Sequence, residues 1–524
     1  KKLYNLNYIK MEFEFSQSDL SLANLASKNM KKLQSFTIDD TNSHSASPLP
    51  QHPSNLMTRT NSGSTYNTLA PIKFPNMLPI DDGNENLVSD SSLEAMYTRT
   101  NQVSTHDAYY GVYKQVLQNL YRTFWLDPFQ KSVHNYQTFI LDSHSIYDCL
   151  KNNVITNNIN NKTKVDSKIL VLYTGLNSNK FLQTFESKNV DVMYSNIGTN
   201  KFDLNQLKFL ITSHDYKMIC FNYADESIGV KVNLKEIFPF LKKHTEGKDT
   251  LLVLDANGAI SSEALDLVEY PFDLVFDDSN DLNGPQGITF GAISSKFLNY
   301  LATLNTVAHF HVSEYVNLYK LANSWKLVES YGEDFSLDGN LKLEEGYDEE
   351  STIAHDLIKV SKVLLLGFNE ALQTFVNTDL REYYQKCYEL SEALKKGIQK
   401  TLNLELVTDY KEGEHALVNG MTCVQYLNSD QLIPYLLNSF NLSISEGKIK
   451  NMKFKTSLSK IDIKYFRIKN IQPVIVRDFI NSGSDAENYS EYKMLISILK
   501  KAVDAVDYMA GKKGYSSVSI AETL

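Results

Sequence analysis

No stretch of this 524-residue chain approaches the roughly 18 consecutive apolar residues that a membrane span needs, so no spanning segment is expected. Cysteine is scarce: Cys149, Cys220, Cys387 and Cys423 are scattered with no CxxC spacing. That excludes a disulfide framework, offers no zinc signature and suits a reducing compartment. Positive charge is in deficit, with 52 lysines and arginines against 62 aspartates and glutamates, a net charge of −10. Broad attraction to nucleic acid or to an anionic membrane is therefore not expected. The opening KKLYNLNYIK lacks the apolar centre of a signal peptide, and the first methionine is Met11, which puts the ten residues before it in question as native sequence. The end, Ile520 to Leu524, is not a clear peroxisomal address. A cytoplasmic location is the expectation.

What is present is ample apolar content, 42% of the chain, enough for large cores. It is unevenly spread. Residues 1–85 are rich in Ser, Thr, Asn and Pro and cannot bury enough apolar surface to offset the entropy of ordering, so a disordered tail is expected there. It holds Arg59-Thr60-Asn61-Ser62, which resembles a basophilic kinase site; an unmodified linker is the plainer reading. From Ser91 onward, strands alternate with helices: strands at Gln137–Leu141, Ile169–Tyr173, Asp191–Tyr194, Met218–Asn222, Leu251–Asp255, Phe272–Phe276 and Ile288–Ile293, helices at Tyr109–Phe124, Ile146–Val154, Phe181–Lys188, Leu204–Thr212 and Leu234–His244. That alternation predicts a mainly parallel sheet covered by helices. Long helices are expected at Ser351–Thr374 and Leu380–Leu402. Then come strands at Gly420–Leu427, Leu442–Ile444 and Tyr465–Ile468, and helices at Gln431–Phe440 and Tyr489–Met509. The division expected is a tail (1–85), a large α/β domain (86–350), a linking helix (351–380) and a small C-terminal α+β domain (381–524).

The chain is organised around Leu251 to Phe290. A buried strand ends in Asp255, a second apolar stretch follows, then Asp277-Asp278-Ser279-Asn280-Asp281 and the loop Gly284-Pro285-Gln286-Gly287. Carboxylates at the C-terminal ends of neighbouring strands are how open α/β sheets build ligand sites. The cluster Asp273, Asp277, Asp278, Asp281 matches no metal-loop spacing, and a solvated acidic turn is the expectation. His309 and His311, two apart, read as ordinary histidines, Lys296 as a solvated lysine near a helix end, and Val363–Leu366 as core.

Several strings together resemble the fold-type I, pyridoxal-phosphate-dependent class V aminotransferases, especially the alanine–glyoxylate and serine–pyruvate group. They are Leu93-Glu94-Ala95-Met96 with Thr105-His106-Asp107 and Leu120 to Phe124, Asp225-Glu226-Ser227 before Gly229-Val230, Asp255-Ala256, the run Leu274 to Phe290, and Tyr465-Phe466-Arg467-Ile468. The resemblance spans about Ser91 to Met509. It implies a three-layer α/β/α sandwich with a smaller C-terminal α+β domain. It implies that Asp255 would pair with the pyridine nitrogen, that Arg467 would hold a substrate carboxylate as a bidentate partner, and that members dimerise. It also exposes departures. The lysine that forms the Schiff base aligns with Asn280, and an amide forms no imine. The phosphate-binding Gly-Ser-Gly turn aligns with Asp142-Ser143-His144, keeping only Ser143, with His144 able to compensate for Asp142 when protonated. The stacking aromatic aligns with Asn177, and Asp277 and Asp278 add negative charge. Asp255 has a plainer reading as a strand-end cap, and Arg467 as a structural ion-pair partner.

These residues lead to an expectation of a catalytically inactive relative with a regulatory or subunit-pairing role, a homodimer or a heterodimer with a paralogue. No bound cofactor is expected, or pyridoxal 5'-phosphate if the site still works. The alternatives are an active transaminase of the alanine–glyoxylate type, for which a peroxisomal location follows by resemblance, and a module that binds a small amino or keto acid through Arg467.

Overall fold

The computed structural model describes residues 88–100, 106–127, 135–142, 145–154, 168–186, 188–195, 201–306, 312–330, 360–407, 417–440, 442, 444–449 and 463–512. The expected tail, the Arg59–Ser62 string, Ser143, His144, His309 and His311 lie outside them. Two helices come first, α1 (Asp90–Thr98) and α2 (His106–Thr123). An alternating series follows: β1 (Tyr136–Asp142), α3 (Ser145–Asn153), β2 (Lys168–Tyr173), α4 (Asn179–Thr184), β3 (Val190–Tyr194), α5 (Leu204–Ser213) and β4 (Tyr216–Asn222). A two-residue hairpin, β5 (Ala224–Asp225) with β6 (Val230–Lys231), precedes α6 (Leu234–Thr245), β7 (Leu251–Asp255), β8 (Leu274–Asp278) and β9 (Ile288–Ser294).

These strands form a seven-stranded sheet in the order β1-β9-β8-β7-β4-β2-β3. Every neighbouring pair is parallel except the two that β9 makes. Helices cover the sheet, so its central strands are buried on both faces and read as unbroken apolar runs; all five residues of β7 are buried. Connections are tight. Ser294 ends β9 and at once caps α7 (Ser295–Asn305), accepting from the Phe297 N–H. Asp203 caps α5 the same way through the Asn205 and Gln206 N–H groups, a contribution of about 1 kcal/mol.

After α8 (Leu318–Ser330), the helices α9 (Lys362–Val376) and α10 (Leu380–Gly397) lead to a second sheet. β12 (Ile463–Lys469) is its centre, antiparallel to both β10 (Met421–Gln425) and β11 (Ser445–Ile449). α11 (Ser429–Phe440) packs on it, and α12 (Pro473–Ser482) and α13 (Ser490–Lys512) close the chain. Both sheets belong to one unit, Met77–Leu524. Among the described residues no helix is long and apolar enough to cross a membrane, and all four cysteines are free and buried.

Four expectations need correction. The strand expected at Leu442–Ile444 begins at Ser445; Leu442 and Ile444 are apolar because they enter the core, not because they pair. The helix expected from Ser351 begins at Lys362, since Val360 and Ser361 are not helical. Val360 instead exchanges both backbone groups with the Tyr109 hydroxyl, at 2.9 and 3.0 Å. The short strand expected at Phe272–Phe276 runs Leu274–Asp278, so Asp277 and Asp278 are strand rather than turn. Finally, the acidic cluster is not solvated: Asp273, Asp277 and Asp281 are buried.

Candidate functional site

β4, β7 and β8 lie side by side and parallel, with Asn222 in register with Asp255 and Asp255 with Phe276. Their C-terminal ends therefore bring Asn222, Asp255 and Asp278 to one edge of the sheet, the place where such folds seat ligands. Asp255 is 0% exposed. Its Oδ2 accepts from Asn222 Nδ2 at 2.7 Å and from the Tyr147 hydroxyl, and its Oδ1 accepts from the Asn257 N–H at 3.0 Å. The last of these is the strand-end cap. Burial raises the Asp255 carboxyl above its ordinary range, opposed by the Lys180 charge and the Tyr147 donor. Asp278, only partly covered, accepts from Asn257 Nδ2 at 2.9 Å and Thr289 Oγ1 at 2.6 Å.

The β5–β6 hairpin supplies a second anchor. Asp225 is fully buried and accepts from the Asn177 N–H at 2.8 Å, the Ser227 N–H at 3.0 Å and the Ser227 hydroxyl. Burial pushes its carboxyl up to about 6, with those donors pulling the other way. Gly175 permits this approach, because a Cβ there would lie 2.5 Å from the carboxylate. Asn177 thus enters the site through its backbone, and its amide side chain offers no flat apolar platform.

The Schiff-base position, Asn280, lies in the 3-10 turn Ser279–Leu282 that follows β8, and its Oδ1 is buried with no partner. Asp281, next in the chain, accepts from the Ser261 N–H and Oγ, both at 2.9 Å. Beside it, Asp277 accepts from the Asp278 N–H at 2.7 Å. Burial, then the charges of Asp281 and Asp278, hold the Asp277 carboxyl well above the usual range, so it keeps its proton and shares it with Asp281.

A lysine does reach this turn, but from the other sheet. Lys469, on β12 and 4% exposed, donates to Glu226 Oε1 at 3.1 Å and lies 3.7 Å from Asp281 Oδ1. Strand alternation puts Tyr465, Arg467 and Lys469 on one face. Tyr465 donates to the Ser227 carbonyl, so that face meets the loop after β5. Arg467 faces it as well. Its Nε is buried without a hydrogen-bond partner, and among the described residues no carboxylate pairs with it. The ion pair expected of a structural arginine is therefore not among the described contacts. Lys296 is half-exposed and pairs with Asp273 at 3.2 Å.

Sequence reasoning missed Lys469, Glu226, Tyr147 and Asn222. The two-residue spacing from Arg467 to Lys469 was a usable signal for the first. None marked Tyr147. The described residues do not fit pyridoxal phosphate. Position 280 carries no amine, Lys469 is engaged as an ammonium by two carboxylates, and Asp255 is covered by Tyr147 and Asn222. Nor, among the described residues, is any group of three or more His, Cys, Asp or Glu arranged to hold a metal ion.

Comparison with known proteins places this geometry. The family described as Aminotransferase class-V matches residues 149–327. Alanine–glyoxylate aminotransferase of Drosophila melanogaster is 22% identical over 244 residues, a match spanning 46% of this chain and 54% of that protein's length. Among solved structures, ureidoglycine–glyoxylate aminotransferase from Bacillus subtilis superposes with a TM-score of 0.59 at 16% identity, covering 80% of this chain and 91% of that one. Alanine–glyoxylate aminotransferase from Nostoc sp. gives 0.59 at 16% identity, covering 83% and 97%. The chain carries a class-V aminotransferase segment on the framework of the fold-type I, pyridoxal-phosphate-dependent transferases.

Proposed function

We propose that this chain is a class-V aminotransferase-like protein that performs no amino transfer and acts by pairing with another subunit, a second copy or an active paralogue. The observation that carries the reading is Asn280. Amino transfer in this fold needs a lysine amine that binds the cofactor's aldehyde and moves a proton, and an amide can do neither. Lys469 does not restore the chemistry: a nucleophilic amine must be unprotonated, and Glu226 and Asp281 hold it as the ammonium. The test mixes purified protein with pyridoxal phosphate, follows the absorbance of a protein-bound imine, reduces with borohydride and maps the product. No lysine adduct is expected; a trapped adduct on Lys469, or on any lysine with amino-transfer activity, would overturn the reading. Light scattering should give a mass near twice the 59.6 kDa of one chain for a self-paired protein. A single-chain mass would leave only the paralogue arm.

A second reading is favoured by one specific observation, the unpartnered Nε of Arg467. A buried guanidinium donor without an acceptor is costly, and a small amino or keto acid carboxylate would satisfy it. Calorimetry with such acids should show binding that Arg467→Ala abolishes. Heats unchanged by that substitution remove this reading.

A further inference from the structure

The carboxylate of Asp255 is the feature a pyridine ring would seek, and an aromatic ring already stands over it. Tyr147, on α3, directs its hydroxyl to Asp255 Oδ2. Its ring is held edge-on by Phe276 of β8 at 5.4 Å and by Phe181 of α4 at 5.7 Å. Lys180 Nζ lies 6.0 Å from the ring centroid. Asn222 and the Asn257 N–H take further lone pairs of the carboxylate, and nothing of Asp255 reaches solvent.

We propose that Tyr147 is a built-in occupant of the ring seat above Asp255, so that the chain excludes pyridoxal phosphate and other pyridine ligands even where no covalent bond is required. The match is chemical as well as spatial. A pyridinium ring offers a carboxylate one flat apolar body and one N–H donor. The tyrosine offers the same flat body and one O–H donor. A ligand ring that reached Asp255 would have to displace Tyr147 from both phenylalanines and break its hydrogen bond, and these contacts are aromatic edge packing of the kind that holds cores together. The seat is closed by packing rather than by charge alone. This inference deepens the inactive-relative reading and rests on it, yet the two fail separately: a chain without the lysine could still hold a pyridine ring non-covalently.

The probe is therefore pyridoxamine phosphate, which has no aldehyde and reports on the seat without regard to any lysine. It is titrated calorimetrically into the full chain, into Tyr147→Phe and into Tyr147→Ala. No binding is expected for the wild type or for Tyr147→Phe, whose ring still fills the seat. Tyr147→Ala should bind at least about tenfold more tightly than the wild type. 4-Methylphenol should raise the melting temperature of Tyr147→Ala alone, as small aromatics refill engineered cavities. If Tyr147→Ala does not fold, Tyr147→Leu takes its place. Wild-type binding as tight as that of the opened variant overturns the proposal, and so does an opened variant that accepts neither probe. A borohydride-trapped lysine adduct would overturn the inactive reading instead, and pyridoxamine phosphate is blind to it.

Discussion

Asp277 has no water to solvate a charge, and Asp281 and Asp278 stand beside it. The folded chain therefore holds a proton that the unfolded chain releases above the ordinary carboxylate range. With more protons bound in the folded state, stability falls as pH rises, with a slope approaching about 1.4 kcal/mol per pH unit for one retained proton. The loss starts above the ordinary carboxylate value and continues toward the raised folded value. Asp277→Asn keeps the shape and a donor toward Asp281 but cannot ionise. Thermal melts should show the variant close to wild type at pH 5 and more stable than wild type at pH 8. A variant that loses more at pH 8 than at pH 5 would refute this account. Asp225, pushed up to about 6, contributes the same sign between the ordinary carboxylate range and about pH 6. Lys469 works in the opposite sense, as the cation that makes Glu226 and Asp281 tolerable in the interior. Lys469→Met leaves both carboxylates without it and should lower stability by about 3–5 kcal/mol, read from the urea midpoint. Adding Glu226→Gln and Asp281→Asn should return most of that loss. At this scale the sequence is only half legible. Asn280, Asp255 and Arg467 could be named from local strings, and the structure brings Asp255, the Asn280 turn and the Arg467 face to the ends of neighbouring elements. Tyr147 could not be named, because its partner lies 108 residues away, and Lys469 pairs with Glu226 across 243.

Elements were easier to read where burial covers both faces of a strand. β7 is bounded by the same residues its apolar run suggests, Leu251–Asp255, and β2, β4 and β9 lie within two residues of expectation at either end. Half-buried pieces were harder. The hairpin β5–β6 is two residues on each side, too short for any period, and α7, α8 and α12 give no pattern that separates them from their neighbours. Within the large sheet, β9 alone runs antiparallel, and it is wedged between β1 and β8. Gly291 makes that wedge possible, since a Cβ there would collide with the Val275 carbonyl of β8 and with the Phe139 ring of β1. Backbone cannot give way as a side-chain tip can. Gly291→Ala should therefore cost about 1–3 kcal/mol or more, seen as a lower urea midpoint with unchanged slope. A neutral substitution would mean that β9 sits less tightly than the contacts indicate.

For the molecule as a whole, the two sheets meet through the same groups that close the site. Lys469 reaches Glu226 and Asp281, Tyr465 reaches the Ser227 carbonyl, Asn283 Nδ2 reaches Gln472 Oε1 at 3.2 Å, and the Asn419 N–H reaches Glu263 Oε1 at 2.6 Å. These are buried polar contacts, and opening the second sheet alone would leave the charges of Glu226, Asp281 and Glu263 without their donors, a cost of several kcal/mol. Partial opening is thus disfavoured, and both sheets should unfold together. The cysteines supply the measurement. Cys220 lies in β4 within the first sheet, and Cys423 lies in β10 with its Sγ 3.8 Å from the Glu226 carbonyl. Both are buried, and burial raises both thiols well above their ordinary range, so neither should react with a thiol reagent in the native protein. Labelling across a urea titration, resolved by peptide mapping, should give Cys220 and Cys423 one shared midpoint, as a single cooperative transition requires. Earlier labelling of Cys423 would show the second sheet leaving first, and Lys469→Met, which removes the central contact, should then widen the gap.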